Sequence, residues 1–369
     1  MLERVKTYVI GYRTDQLNEK RKRKMKILVL NTFTDETYRE FYTEAAQKRM
    51  NAIGTVVQVD YDGTPSAKEH LLQEAESAEV IFTGWGVPDF DEAFYQNAQK
   101  LKIIAHTGGS VADLVSDSLK HRQILLLSGN RYYAESVAEA TICYMLMGQR
   151  KLYKVLKQTE FEGWGPAQIN AGLYGKTVGL LGFGMISKYV AKMLSVFNVH
   201  ILVCSSHQIP QHELREYAIT QASAEEMFSQ SDIVSIHSAM TSKTYHSVNR
   251  ELLSRMKENA LLVNTARGAV VDEDVLAEFL IAGKIRAVLD VFTQEPLPMD
   301  SPLRGLDNAL LVPHKGGPTA DMMEVTTLGL IDDVEAFFCG KPGKMQNVIS
   351  MDYAERMTSH RVVDEVKNA

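Results

Sequence analysis

Cysteine is scarce, with three in 369 residues. Cys143, Cys204 and Cys339 lie far apart and share no metal-ligand spacing. No metal is therefore expected, and reduced thiols in a cytoplasmic protein fit the pattern. Long apolar runs are also missing. None approaches the ~20 residues needed to span a bilayer, so no membrane partner is expected. The first residues mix Tyr, Arg and Glu and lack the apolar core of a secretory signal. Positive charge is not in excess either. The formal net charge is −6, which argues against a nucleic-acid partner. Neither an internal repeat nor a low-complexity segment is evident. What is present is ordinary for a soluble globule, at 45% hydrophobic and 23% charged residues, and the length is comfortable for two domains.

Residues 1–25 run into KRKRKMK. This reads as a solvated tail or as a start upstream of the true one at Met25, in preference to a nuclear-import or anion-binding patch. From Lys26 to Ser128 apolar runs of strand length (KILVLN, VVQVD, EVIFTG, LKIIAHT, ILLLS) alternate with amphipathic stretches at 36–50, 67–77, 91–99 and 111–121. Apolar strands spaced by helices predict a parallel sheet covered on both faces, with ligands at the strand C-termini. Two such ends are unusual: Gly84-Trp85-Gly86, and Thr107-Gly108-Gly109-Ser110. The second is either an ordinary turn or a backbone N–H nest suited to a carboxylate. A long helix is predicted over 134–158, apolar first and charged later, as in a helix passing between domains. A second, over 320–339, is predicted to cross back.

Between these helices the alternation repeats: VGLLG, HILVCS, YAIT, DIVSIHS, ALLVNTA, RAVLDVF, ALLVP. The first of these strands leads into KTVGLLGFGMIS, residues 176–187. Gly182, Gly184 and Ser187 stand at the G-x-G-x-x-G/A spacing between a strand and an amphipathic helix. Gly182 permits the sharp reversal, and Gly184 lets a pyrophosphate approach the backbone. The helix N-terminus then offers free N–H groups to that anion. The alternative is a structural glycine turn, which Ser187 keeps open. The context of a following strand favours a dinucleotide site.

Three later strand ends carry polar residues that a buried sheet does not need. They are Arg267 in VNTARGAVVD, Glu295 in LDVFTQEP and His314 in LVPHKGG. Arginine can fork two N–H groups onto a carboxylate, though a surface ion pair is the plainer reading. Glutamate beside histidine is a general acid/base with its orienting partner, though a lone histidine is more often structural. All three beside a dinucleotide turn are harder to explain as structure alone.

Taken together, LLGFGMIS, VNTARGAVVDEDVL, AVLDVFTQEPLP and VPHKGG resemble the D-isomer specific 2-hydroxyacid dehydrogenases. The resemblance runs in order over about 98–340. It implies an α/β chain of two doubly wound parallel-sheet domains, a Rossmann NAD(P)-binding domain inserted into a flavodoxin-like substrate domain. The expected division is an extension at 1–25, a discontinuous substrate domain at 26–147 and 320–369, and a dinucleotide domain at 148–319. A homodimer built largely on the dinucleotide domain is implied, with a small 2-oxoacid or 2-hydroxyacid as the other partner. By motif position, Arg267 holds the substrate carboxylate and carbonyl, His314 is the acid/base and Glu295 its partner. Gly108 and Gly109 offer amides to the substrate, with Trp85 beside them. Gly182, Gly184, Met185, Ile186, Ser205, Ser206, Thr265, Ala266, His314 and Gly316 fall to the cofactor, and Asp290 faces the nicotinamide carboxamide.

The sequence departs from the family pattern in three places. Ser187 replaces the third glycine. Ser205, followed by Ser206 and His207, stands where an acidic residue usually holds the ribose 2′-OH, so NAD and NADP both stay open. HTGGSVAD replaces the usual substrate loop. The resemblance implies a 2-oxoacid oriented by Arg267 and by Gly108 and Gly109, reduced by hydride at C2 and protonated by His314. A dinucleotide-sensing regulatory protein of corepressor type on the same scaffold is the alternative. A methyltransferase reading of the glycine turn leaves Arg267, Glu295 and His314 without a role.

Overall fold

The computed structural model describes residues 24–165 and 170–358. The basic stretch up to residue 23 lies outside them. The chain falls into two compact units. Among the described residues, one takes 24–133 with 318–358, and the other lies within Ala134–Gly317.

The first unit holds strands β1 (Met25–Asn31), β2 (Gly54–Asp60), β3 (Val80–Thr83), β4 (Ile103–His106) and β5 (Leu125–Ser128), all paired in parallel. Their order across the sheet is β5-β4-β3-β1-β2, the flavodoxin-like arrangement. Successive residues of β1 explain why the sheet is closed on both faces. Ile27 and Val29 point into one apolar cluster, Leu28 and Leu30 into the other, and all four are buried. Full burial of each such side chain contributes about 1.5–3 kcal/mol.

The helices between strands start where threonine, aspartate or serine caps them. Thr34, Thr43, Thr64, Asp91 and Ser116 each accept a backbone N–H from the first turn. Two of these caps split elements that the sequence presents as single. The 36–50 stretch is two helices, Asp35–Phe41 and Glu44–Ile53, because Thr43 caps a new one. The 111–121 stretch is a 3₁₀ turn, Ala112–Leu114, and a short helix, Asp117–Lys120, begun by Ser116.

The C-terminal helix Ala320–Phe338 belongs to this unit. It buries Leu330, Ile331 and Val334 in the same cluster as Ile27 and Phe41. Arg49 reaches Asp332 and Glu335 on it at 2.8 and 2.9 Å. After it comes a two-residue strand, Val348–Ile349, which pairs antiparallel with β5 as a sixth strand.

The second unit is a seven-stranded parallel sheet. Its strands are β6 (Thr177–Leu181), β7 (His200–Cys204), β8 (Ile219–Gln221), β9 (Ile233–Ile236), β10 (Leu261–Asn264), β11 (Arg286–Leu289) and β12 (Ala309–Leu311). The order is β12-β11-β10-β9-β6-β7-β8. The crossover therefore falls between β6 and β9, with the glycine turn at the end of β6. This is the doubly wound dinucleotide arrangement.

The expected helix over 134–158 is two helices, Asn130–Arg150 and Leu152–Phe161. The first begins earlier because the Ser128 hydroxyl takes the Asn130 amide at 3.0 Å. The break between them is Lys151, whose φ of 49° lies in the left-handed region. The units also divide earlier than the 147/148 boundary expected from sequence. Ala138, Tyr144 and Met145 of the first helix are buried in the second unit's core. No described helix is long and apolar enough to cross a membrane.

Candidate active site

The glycine turn is built to leave an anion site open. Gly182 has φ +100°, and a Cβ there would lie 2.9 Å from the His237 carbonyl and the Ser238 nitrogen. Only glycine fits. At Gly184 a Cβ would meet nothing within 4 Å, so that side faces open space. The helix Met185–Leu194 starts directly after Gly184 without a side-chain cap, which leaves its first N–H groups to a ligand. Met185 and Ile186 form its first turn. Ser187 is buried and donates to the Gly182 carbonyl at 2.6 Å. Serine in the third position thus ties helix to turn, where glycine would only pack. The turn fits a dinucleotide pyrophosphate.

At the end of β7 the chain carries Ser205, Ser206 and His207. The Ser205 hydroxyl lies 3.2 Å from His207 Nδ1 and accepts the His207 amide at 3.4 Å. The loop is closed by its own hydroxyl, with no acidic side chain of its own.

Arg267, Glu295 and His314 follow β10, β11 and β12, which are neighbours in the sheet. His314 Nδ1 lies 2.7 Å from Glu295 Oε2. Glu295 Oε1 accepts the Phe292 amide at 2.9 Å. Burial pushes the Glu295 carboxyl up. The His314 ring, the Phe292 amide and the charges of His314 and Arg267 outweigh it, and the carboxyl sits below its ordinary value. It is therefore an ionised acceptor, so His314 Nδ1 donates to it and Nε2 is left to exchange a proton. The two side chains are 47% and 36% exposed, which keeps the ring reachable. His314 itself has φ +51°. A non-glycine residue held there marks a backbone constrained to aim a side chain.

That constraint has a visible source. Asp290 is 1% exposed. Its Oδ1 accepts the Lys315 amide at 2.7 Å and the Tyr144 hydroxyl at 3.2 Å, and its Oδ2 accepts the Gly316 amide at 2.8 Å. Its carbonyl takes the His314 amide at 2.8 Å. Asp290 thus fastens the loop 314–316 from below. Gly316 is buried against it, and a Cβ there would stand 2.6 Å from Oδ2.

The Arg267 turn is organised similarly. Asn264, at the end of β10, donates to the Arg267 carbonyl at 3.0 Å and accepts the Ala266 amide at 3.1 Å. Thr265 is buried, with its hydroxyl 3.0 Å from that of Thr141. The Arg267 guanidinium donates to the Ala266 carbonyl at 2.6 Å and is half-buried. Gly268 comes next. A Cβ on it would lie 1.9 Å from the Phe292 carbonyl carbon, so the arginine turn and the Phe292–Glu295 turn touch backbone to backbone.

Tyr144, Asn264 and Gly268 were not singled out from sequence. Gly268 could have been, as a glycine following the arginine at a strand end. Tyr144 carries no local signal, since it lies far along the chain from Asp290.

In the first unit, Gly108 and Gly109 follow β4. Ser128 donates to the Gly109 carbonyl at 2.7 Å, and the Gly129 amide donates to the Gly108 carbonyl at 3.1 Å. With the carbonyls held, the glycine amides take no partner among the described residues. Trp85 follows β3 and is 41% exposed. No cluster of metal-ligating side chains occurs among the described residues.

Residues 142–316 match the family described as D-isomer specific 2-hydroxyacid dehydrogenase, NAD binding domain. A D-3-phosphoglycerate dehydrogenase of Methanocaldococcus jannaschii is 31% identical over 78% of this chain, and the match takes in only 55% of that longer protein. A glyoxylate/hydroxypyruvate reductase B of Pectobacterium atrosepticum is 30% identical over 76% of this chain and 88% of its own length. Among solved structures, a glyoxylate reductase from Paecilomyes thermophila shares the fold, with a TM-score of 0.73, 22% identity, and coverage of 90% of this chain and 99% of that one. With the glycine turn, the sheet orders and the three polar strand ends in place, the chain belongs to the D-isomer specific 2-hydroxyacid dehydrogenase family.

Proposed function

We propose that the chain interconverts a 2-oxoacid and a D-2-hydroxyacid with a nicotinamide dinucleotide. The observation that carries this reading is the His314–Glu295 pair at 2.7 Å on a loop that Asp290 fastens. When bound, the nicotinamide supplies the hydride for reduction and accepts it for oxidation. The Arg267 guanidinium takes the substrate carboxylate. His314 gives its Nε2 proton to the oxygen on C2 in reduction and takes it back in oxidation. Glu295 holds the ring in the tautomer that permits this and balances its charge. Gly182, Gly184 and the first turn of the following helix hold the pyrophosphate. A panel of 2-oxoacids with NADH and NADPH, followed at 340 nm, tests the reading. Turnover of none of them leaves the dinucleotide-sensing alternative.

Ser205 removes the carboxylate that would repel a 2′-phosphate. NADPH is therefore expected to serve within a thousand-fold of NADH, a gap of about 4 kcal/mol. Parallel titrations of the two coenzymes check this, and a wider preference for NADH shows the serine loop to be irrelevant to the choice.

We further propose that the second unit forms the homodimer. The helix Leu152–Phe161 buries none of its residues. Leu152, Leu156 and Phe161 stand 39%, 56% and 74% exposed. Exposed apolar side chains so close together mark an interaction face. Leu156→Glu is expected to turn a dimer into a monomer on a sizing column with light scattering. An unchanged mass would place the interface elsewhere. The three cysteines are unpaired, and we place the reaction in the cytoplasm.

A further inference from the structure

The helix Asn130–Arg150 enters the second unit at Ala134. A helix lying against a sheet ordinarily turns apolar side chains inward, and Ala138 and Met145 do so. Thr141 and Tyr144 stand three residues apart, on one helical face, and they bring two hydroxyls inward as well. Both residues are buried. A buried hydroxyl is costly unless it is bonded. Each of these two is bonded to a segment that carries a site residue, and every residue concerned lies in the second unit.

Thr141 serves the Arg267 turn. Its hydroxyl proton goes to the Val137 carbonyl at 2.7 Å. A hydroxyl has one proton to give, so at their 3.0 Å contact Thr265 donates and Thr141 accepts. Thr265 follows Asn264, which holds the Arg267 carbonyl. Tyr144 serves the His314 loop. Its hydroxyl stands 3.2 Å from Asp290 Oδ1, the oxygen that also takes the Lys315 amide. Burial and the Asp290 charge push the phenol above its ordinary value, so it stays protonated and donates. Of the bonds that the Asp290 side chain accepts from Tyr144, Lys315 and Gly316, the tyrosine supplies the one from outside the loop. Without it the carboxylate would follow the loop instead of fixing it. Arg267 and His314 leave strands β10 and β12, with β11 between them. At the usual strand spacing their turns start about 10 Å apart, and the helix face ties both.

We infer that Thr141 and Tyr144 are positioning residues: Thr141, through Thr265, sets the Arg267 guanidinium, and Tyr144, through Asp290, sets the His314 imidazole. The division of labour implies two different losses. A displaced Arg267 holds the substrate carboxylate less well. A displaced His314 opens its 2.7 Å bond to Glu295, and proton transfer slows. The kinetic part of this assignment rests on the oxoacid reading, whereas the geometry of the His314 ring does not.

The test uses Tyr144→Phe and Thr141→Val, each lacking one hydroxyl, and Thr141→Ser, which restores it, all as full chains. Glyoxylate, pyruvate and hydroxypyruvate with NADH are the probes. Tyr144→Phe is expected to lower kcat by about tenfold, less than the ~10²-fold cost of a 1 Å misplacement, and to keep KM within about threefold. Thr141→Val is expected to raise KM for the oxoacid by about tenfold at nearly the parent kcat, and Thr141→Ser to bring it back. In the His314→Gln background, Tyr144→Phe should cost less than about twofold, because the group it positions is gone. Nitrogen NMR of the imidazoles, without coenzyme and at a pH where the rings are neutral, reads the tautomer of His314, whose signals are those missing in His314→Gln. The parent is expected to hold its proton on Nδ1, and Tyr144→Phe to show a mixture of tautomers. Unchanged ring signals in Tyr144→Phe overturn the assignment. So does an undiminished loss in the His314→Gln background, or the same change of kcat and KM in Tyr144→Phe and Thr141→Val, since either means that the hydroxyls serve stability alone. No turnover of any of the three acids by the parent sinks the oxoacid reading, and the ring signals then decide the role of Tyr144 by themselves.

Discussion

Replacing His314 by glutamine is expected to slow 2-oxoacid reduction by about 10²–10⁴-fold, the usual share of a positioned proton donor, while fold and dinucleotide binding stay intact. The ring is half-exposed at a strand end, so its loss opens no core cavity. The loop beneath it is held by main-chain bonds from His314, Lys315 and Gly316 to Asp290, which glutamine leaves in place. Glutamine, like histidine, is unbranched at Cβ, so it adds little strain at the same left-handed backbone. A rate near that of the parent would show the Glu295–His314 pair to be structural and favour the regulatory alternative.

Glu295→Gln separates the charge from the ring. The ring keeps an acceptor for its Nδ1 proton but loses its counter-charge, so the rate of 2-oxoacid reduction is expected to fall. Stability follows with a definite sign. The carboxyl titrates lower in the folded chain than in the unfolded one. Its contribution is therefore present above the ordinary glutamate range and lost as pH falls through the lowered value. The melting-temperature gap between parent and Glu295→Gln should narrow on acidification.

Much of this arrangement is legible along the chain. Five apolar runs alternating with amphipathic stretches predict the first parallel sheet, and the glycine turn between VGLLG and its helix predicts a ligand end for the second. Both rest on local physics, period and turn chemistry, which short windows carry. What was missed is not local. The antiparallel strand Val348–Ile349 is two residues long and is defined only by its pairing with β5. The break at Lys151 uses neither glycine nor proline. Asp290 reads by motif as a cofactor contact, and the bonds its oxygens accept from Tyr144 and two loop amides come only with the fold. These bonds close between segments far apart in sequence, and no spacing rule announces them. Trp85 is legible as an odd residue at a strand end, whereas its backing by the rings of Phe33, Phe41 and Tyr133 comes only with the fold.

Gly268→Ala is expected to lower both stability and rate, and the two losses have one cause. The alanine methyl would overlap the Phe292 main chain at 1.9 Å, and backbone cannot swing aside as a flexible side chain can. Inserting one methyl into a closed contact costs about 1–3 kcal/mol, and more where the neighbour is rigid. Relief comes only by parting the Arg267 turn from the Phe292–Glu295 turn, which shifts the guanidinium against the carboxylate that orients His314. A displacement near 1 Å between groups that must act together costs on the order of 10²-fold in rate. Gly184→Ala is the contrasting case. Its methyl would meet no protein atom within 4 Å, so melting temperature should hold, while the approach of a pyrophosphate to the turn is obstructed and dinucleotide affinity falls. Thermal melts with and without coenzyme, set beside kcat/KM, distinguish the two variants. If Gly268→Ala keeps both its melting temperature and its rate, the contact between the turns does not position the site. If Gly184→Ala binds the dinucleotide as tightly as the parent, the open side of the turn is not where the pyrophosphate lies.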